Sequence, residues 1–163
     1  MDNKKIKDQL SYVAIYGNTT ILKGYCNDCN SIAFIKKGIL QCCEKSTDDL
    51  PKGFKVESEA QPKRKIPPLE YRKNKLEEQN NKCFYCEIPF GEICYKNEKP
   101  IKLKINWDHF VPFDYGYNNG STNFVASCQI CNGIKADKFF DTVESARSYV
   151  IAIRQNKNIV QGM

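Results

Sequence analysis

The sequence predicts an α+β protein with a β-rich N-terminal module and a mixed C-terminal domain. Residues 11–16 and 19–25 are rich in β-branched and aromatic side chains and flank a Gly17-Asn18 turn signal. Residues 101–107 alternate apolar and polar side chains, which favours a half-buried strand. Residues 143–153 have apolar side chains at helical spacing, which favours a packed helix. Strands in both halves and helices confined to the second half are typical of the α+β class.

Composition divides the chain into three parts. Residues 1–50 form the β-rich module, and residues 51–68 form a basic, proline-containing linker. Residues 69–163 form the C-terminal domain, which we expect to begin with a helix over residues 69–81 that has Leu69 and Leu76 on one side.

Further elements are expected inside the C-terminal domain. Residues 123–127 predict a short strand, and residues 131–140 are expected to start a helix. Asp141 with Glu144 forms a candidate capping box for the last helix.

Nine cysteines are the compositional outlier in a chain of 163 residues. The first residues are charged, and no apolar run has the ~20 residues that a membrane helix requires, so we expect a cytoplasmic protein without a membrane partner. Because that compartment keeps thiols reduced, clustered cysteines are expected to bind metal. The formal charge of +6 is a weak sign of nucleic acid, since zinc-bound thiolates would offset most of it.

The N-terminal cysteines stand at both ends of a predicted hairpin. Cys26 and Cys29 precede it, and Cys42 and Cys43 follow it, an arrangement that resembles a zinc ribbon. Adjacent residues of a regular strand point in opposite directions, so Cys42 and Cys43 need a local bend to share one ion. The fourth ligand of this second zinc site therefore stays open.

Cys83, Cys86, Cys128 and Cys131 form two CxxC pairs, which together supply the four thiolates of a structural zinc site. The ninth cysteine, Cys94, has no partner and is expected to be a small buried residue. A complete four-cysteine site leaves the only histidine of the chain free for other chemistry.

The order of motifs between residues 83 and 135 resembles one known family. CFYC, DHFVP, NFV and CQICNGIK occur in the order found in HNH endonucleases of the ββα-metal superfamily, in the subtype whose motif is held by a four-cysteine zinc. The resemblance covers about a third of the chain, and the final histidine of the motif name is replaced by Asn132. It implies a small zinc-stabilised ββα core that hydrolyses DNA phosphodiester bonds.

The resemblance also implies a role for each matching residue. His109 is the general base, because a neutral imidazole accepts a proton from water near pH 7. Asp108 and Asn132 hold one catalytic Mg²⁺ or Mn²⁺ through oxygen ligands. Asn123 ties the loop to the backbone and orients the histidine strand, and Lys135 contacts the phosphate or the charge that develops in the transition state. Since Asp108 and His109 would face opposite sides of a regular strand, the strand must end or bulge there.

Partners and alternatives follow from the same resemblance. Double-stranded DNA is the expected substrate, and a double-strand break would require a homodimer or two separate events. The lysine-rich and asparagine-rich composition fits a bacterial or phage genome, with roles such as restriction, homing or phage DNA processing. The alternative function is a two-zinc nucleic-acid-binding or regulatory module with an inactive HNH fold. A purely structural zinc ribbon would leave Asp108, His109 and Asn132 unexplained.

Overall fold

The computed structural model describes residues 11–26, 31–36, 39–40, 63–116 and 118–162. The first strands form one antiparallel sheet in the order β1-β2-β3-β4, and both predicted strands at the start of the chain are confirmed. These strands are β1 (Ser11–Tyr16), β2 (Thr19–Cys26), β3 (Ser31–Lys36) and β4 (Ile39–Leu40).

The second half holds two further sheets and four helices, so the α+β class is confirmed among the described residues. One sheet has the order β6-β5-β9, and the other is the antiparallel pair β7-β8. The strands are β5 (Ile93–Lys96), β6 (Lys99–Lys102), β7 (Ile105–His109), β8 (Phe124–Cys128) and β9 (Ile159–Gln161). The helices are α1 (Leu69–Glu78), the single turn α2 (Phe113–Gly116), α3 (Gln129–Lys135) and α4 (Val143–Asn156), and a 3₁₀ turn spans Ser121–Asn123.

The single strand predicted over residues 101–107 is wrong, because the chain changes sheets inside it. β6 ends at Lys102 and pairs with β5, whereas β7 begins at Ile105 and pairs with β8. Leu103 lies between them, is 2 % exposed and has backbone bonds to Gly91 and Glu92. Period-two alternation continues across this change of partner and therefore does not reveal it.

Several helix ends also differ from the sequence prediction, among them that of α1, which ends at Glu78 and not at residue 81. The helix expected to start within residues 131–140 begins earlier, at Gln129, and ends at Lys135, because Ala136 adopts a left-handed φ of 49°. The predicted cap at Asp141 is wrong by one residue. Thr142 is the N-cap of α4, and its side chain accepts a hydrogen bond from the Ser145 amide.

Helix α1 is attached by polar contacts and not by the predicted leucine face. Leu69 is 60 % exposed, and no residue of the helix is fully buried. Instead, the Tyr71 hydroxyl donates to the Phe124 carbonyl at 3.2 Å. The side-chain amide of Gln79 donates to the Ala126 carbonyl at 2.8 Å and accepts from its amide at 3.0 Å. These bonds satisfy the free edge of β8 and hold α1 beside it.

The N-terminal sheet packs against the C-terminal domain. Ile21 belongs to the same buried cluster as Val125 and Val150. The turn between β1 and β2 touches the 3₁₀ turn so closely that a Cβ on Gly17 would lie 2.7 Å from the Thr122 carbonyl oxygen. None of the helices among the described residues is both long enough and apolar enough to span a membrane.

Candidate functional site

Four cysteine side chains converge at the junction of β8 and α3. The Sγ atoms of Cys83, Cys86, Cys128 and Cys131 all lie within 4.8 Å of one another. Backbone amides point at two of them: the Cys128 amide donates to Cys83 Sγ at 3.2 Å, and the Cys131 amide donates to Cys128 Sγ at 3.4 Å. Hydrogen bonds from the neighbouring thiols lower the pKa of Cys83. The cluster can hold a structural metal ion such as zinc, as the two CxxC pairs predicted.

A buried arginine lies beside this cluster. Arg154 on α4 is 5 % exposed and donates to Cys131 Sγ at 3.6 Å and to Cys94 Sγ at 3.4 Å. No carboxylate pairs with its guanidinium among the described residues. A buried cation requires a compensating anion, and four thiolates on one divalent ion have a net negative charge. The position of Arg154 therefore fits a metal-thiolate cluster better than four neutral thiols.

We expect Arg154→Met to weaken metal retention without changing the four ligands. Loss of the guanidinium leaves the thiolate charge without its buried counterion, and a change in the surroundings of metal ligands costs about 10- to 100-fold in affinity. Competition with a chromogenic chelator would measure the zinc dissociation rate. Lys157→Met, an exposed change just past the end of α4, is the matched control. Equal zinc release from both variants would contradict this role.

Cys94 lies inside the protein with an exposure of 0 %, so the predicted small buried residue is confirmed. The four N-terminal cysteines cannot be placed in the same way. The side chain of Cys26 and all of Cys29, Cys42 and Cys43 fall outside the described residues, so the second zinc site stays a prediction.

Asp108 and His109 occupy the last two positions of β7. The strand ends at His109, but Asp108 and His109 both keep regular pairing with β8, so their two side chains enter different surroundings instead of converging on one point as the sequence argument required. Both residues are 1 % exposed. Asp108 faces the core beside Tyr85, which lies between Cys83 and Cys86 of the cysteine cluster. His109 instead packs against the ring of Phe124, with ring centroids 4.1 Å apart.

Asp108 is held by two buried partners. The Tyr85 hydroxyl donates to Asp108 Oδ2 at 2.6 Å, and Lys135 Nζ lies 3.2 Å from the same oxygen. Lys135 is 0 % exposed and also donates to the His109 carbonyl at 3.0 Å. Burial raises the pKa of Asp108, and the lysine charge opposes that rise. The lysine predicted to contact phosphate thus contacts protein groups and fixes the end of β7.

His109 has a neighbour at each ring nitrogen. Arg64 Nε donates to Nδ1 at 3.3 Å, and Nε2 lies 3.4 Å from Asn119 Oδ1. Because Nδ1 accepts from the guanidinium, this network assigns the proton to Nε2. Burial, and then the positive charge of Arg64, lowers the pKa of His109 to about 4. The imidazole is therefore neutral at pH 7.

We expect the single histidine ring to show no titration between pH 8 and pH 5.5 in the folded protein, since its pKa is about 4. In the unfolded chain the same ring should titrate near ~6.5. Because the folded pKa is the lower one, His109 contributes stability that is fully present above pH ~6.5 and declines as the pH falls toward the folded pKa. NMR of the histidine-labelled protein, with and without urea, measures both values. A His109 pKa near ~6.5 in the folded protein would contradict the buried environment of the ring.

Asn123 joins the two strands behind His109. It is 0 % exposed; its Oδ1 accepts from the Val111 amide at 3.0 Å, and its Nδ2 donates to the Val111 carbonyl at 3.0 Å. Its own carbonyl accepts from the Phe110 amide at 2.8 Å. These bonds fix the chain that leaves β7 to the start of β8, the connection that the sequence assigned to this asparagine.

We expect Asn123→Ala to lower the free energy of unfolding by about 3 kcal/mol, because it leaves two buried backbone groups of Val111 unpaired. Urea unfolding would measure the loss. The control is Asn74→Ala, which changes an exposed asparagine on α1. A difference below 1 kcal/mol between the variants would show that solvent replaces these bonds.

Asn132 lies in α3 directly after the cluster residue Cys131. It is partly exposed, and its side chain has no hydrogen bond to any residue that the structure describes. Lys135 follows it on the same helix and is fully buried. The amide oxygen of Asn132 is therefore open to a cation, whereas Asp108 is 1 % exposed and both of its contacts fall on Oδ2.

Three contributors to these sites were not identified from the sequence as functional residues: Tyr85, Asn119 and Arg154. Arg64 was expected only as one of the basic residues between 63 and 75, a run that was as consistent with a solvated surface as with contact to DNA. Tyr85 lies between two metal-ligating cysteines, and this position was the one available signal for it. Asn119 reads as a turn residue and Arg64 as part of a charged linker, so their contacts with His109 depend on the fold alone. No protein-family model, curated protein or solved structure matches the chain.

Proposed function

We propose that the chain is a metal-dependent HNH endonuclease that hydrolyses DNA phosphodiester bonds. The observation that supports this most strongly is the unit β7-β8-α3, a two-stranded hairpin followed directly by a helix. It surrounds one histidine with a buried carboxylate, a strand-bridging asparagine and a buried lysine. The cysteine cluster anchors the same helix at its first turn.

His109 is the proposed general base. Its ring is neutral at pH 7 and is oriented by packing on Phe124 and by Asn119. A base of this kind removes a proton from the attacking water, and the resulting imidazolium must then return that proton to solvent. Lys135 holds the His109 carbonyl, and Asn123 holds the residues that follow it, Phe110 and Val111.

Asp108 and Asn132 are the proposed ligands of one catalytic Mg²⁺ or Mn²⁺. A carboxylate oxygen and an amide oxygen suit a hard divalent cation, which would stabilise charge on the phosphate and on the departing 3′ oxygen. Lys135 lowers the cost of keeping Asp108 ionised inside the protein. In this proposal Lys135 positions the carboxylate, and the phosphate contact comes from another residue.

The second candidate is a nucleic-acid-binding or regulatory module with an inactive HNH fold. One observation favours it: His109 is only 1 % exposed, so no phosphate can touch the ring in this conformation. An active enzyme would have to uncover His109 when DNA binds.

Incubation of supercoiled plasmid with the zinc-loaded protein distinguishes the two functions. The nuclease proposal expects nicked or linear products with Mg²⁺ or Mn²⁺, and none without them. Asn132→Ala should slow cleavage strongly, whereas Asn74→Ala on α1 should not. DNA binding without cleavage under every metal condition would favour the inactive module. Linear product that forms without a nicked intermediate would indicate that two copies act together.

A further inference from the structure

A short basic segment of the linker covers His109. The segment of residues 63–66 is exposed to solvent on its outer side and is attached mainly through Asn119. Asn119 Oδ1 accepts from the Lys65 amide at 2.9 Å, and Asn119 Nδ2 donates to the Lys63 carbonyl at 3.0 Å. Arg64 lies between these two bonds and reaches Nδ1 of His109 at 3.3 Å.

We propose that Arg64 is a ligand of the substrate phosphate and that, in the free protein, its guanidinium lies where that phosphate binds. This inference rests on the proposed nuclease function. When DNA enters, Arg64 would exchange its hydrogen bond to His109 for bonds to the phosphate, and His109 would be released to accept a proton from water.

The contacts of Arg64 support this exchange. Its guanidinium has five donors, and among the described residues it has one hydrogen bond, from Nε to a neutral ring nitrogen. No carboxylate pairs with it among the residues that the structure describes. A phosphate offers two oxygens in the geometry of the guanidinium fork and a negative charge, so it is a stronger partner than the imidazole.

The burial of His109 makes some rearrangement necessary for catalysis. The ring is 1 % exposed, and both of its nitrogens face protein groups. The segment of residues 63–66 can move at low cost, because Lys63, Arg64, Lys65 and Ile66 are all exposed. Pro67 is buried and α1 begins at Leu69, so the far end of the segment stays anchored beside β8.

The Arg64 guanidinium lies close to the other charged and polar groups of the candidate site. It is in hydrogen-bond contact with His109 and acts electrostatically on Asp108 and on Lys135. A phosphate bound there would lie beside the proposed base and close to the proposed ligand of the cation. The buried Lys135 cannot supply that phosphate contact, and Arg64 can.

Single-turnover cleavage by Arg64→Gln, compared with Lys63→Gln, tests the inference. The first variant should lose about 10- to 100-fold in rate, the worth of a charge-assisted hydrogen bond. Lys63→Gln removes an equal charge from the same segment and should lose much less, because the Lys63 side chain has no hydrogen bond or ion pair with a described residue. Arg64→Lys should recover only part of the rate, since an ammonium lacks the fork geometry. Zinc content and melting temperature should match wild type in all three.

Histidine NMR provides a readout that does not depend on cleavage. The chain has one histidine, so a labelled sample gives a single imidazole to follow. A short DNA duplex, added with Ca²⁺ in place of Mg²⁺, should shift the ring resonances of the wild type as Arg64 leaves Nδ1. The resonances of Arg64→Gln should already differ without DNA and should respond less when DNA is added.

The outcomes separate the two proposals. Wild-type cleavage rates in Arg64→Gln would overturn the phosphate role and leave the nuclease function standing. If the wild-type protein cleaves no DNA, the nuclease function fails. Histidine NMR then decides whether Arg64 binds phosphate: a shift of the His109 resonances on addition of DNA that is lost in Arg64→Gln supports this role. The inference is overturned if DNA does not shift the His109 ring resonances of the wild type, or if it shifts them equally in wild type and Arg64→Gln.

Discussion

Replacing Cys128 by serine is expected to abolish metal binding at the four-cysteine cluster and to unfold the C-terminal domain. Cys128 ends β8 and is the N-cap of α3, where its Sγ accepts from the Cys131 amide. It is therefore both a candidate metal ligand and the junction between β8 and α3. Structural zinc contributes about 10 kcal/mol or more of binding energy in small domains, which is comparable with the total stability of a typical domain.

Metal analysis and circular dichroism measure this effect. Cys128→Ser should retain no zinc at the four-cysteine site and should lose its cooperative thermal transition. Cys94→Ala is the matched control, because Cys94 is equally buried, with an exposure of 0 %, but lies outside the cluster. It should keep its zinc and melt cooperatively. A folded, zinc-containing Cys128→Ser protein would rule out this cluster as the element that stabilises the fold.

Under the proposed nuclease function, His109→Ala is expected to reduce DNA cleavage by about 10²- to 10⁴-fold, the usual contribution of a positioned general base. The change removes the imidazole and leaves the His109 carbonyl that accepts from Lys135. The ion pair between Lys135 and Asp108 should therefore persist. A lower cleavage rate with unchanged DNA affinity would show that the His109 side chain acts in the chemical step and is not needed only for folding.

Asn106→Ala is the control on the same strand, since Asn106 is exposed and three positions before His109. Its plasmid cleavage should stay within about twofold of wild type, because exposed substitutions away from contacts are nearly neutral. Zinc content and urea unfolding establish that both variants are folded. Cleavage by His109→Ala at the rate of the Asn106→Ala control would remove His109 from the mechanism.

Much of the local structure could be predicted because it depends on local patterns. The first two strands match the β-branched runs, and the last helix matches its apolar stripe, in which Ala146 and Val150 are fully buried. The four-cysteine cluster was also predictable, since two CxxC pairs have few alternatives in one small domain. Helix caps and strand ends were predicted less accurately, because neighbouring residues can take the same capping or terminal position.

The candidate site was predicted in its residues but not in its contacts. The resemblance identified Asp108, His109 and Asn123, and the structure brings them to the end of β7 and the start of β8. The resemblance did not predict that the Lys135 side chain would pair with Asp108. That contact depends on Tyr85 and on the buried residues packed around it.

The sequence by itself predicted the four-cysteine cluster and the order of strand, loop, strand and helix around the single histidine of the chain. Only the tertiary structure decided what surrounds that histidine. Arg64 and Asn119 reach His109 from positions 45 and 10 residues away. The physical reason is that ligand spacing and periodicity are properties of short segments, whereas burial and ionic partners depend on segments brought together by folding.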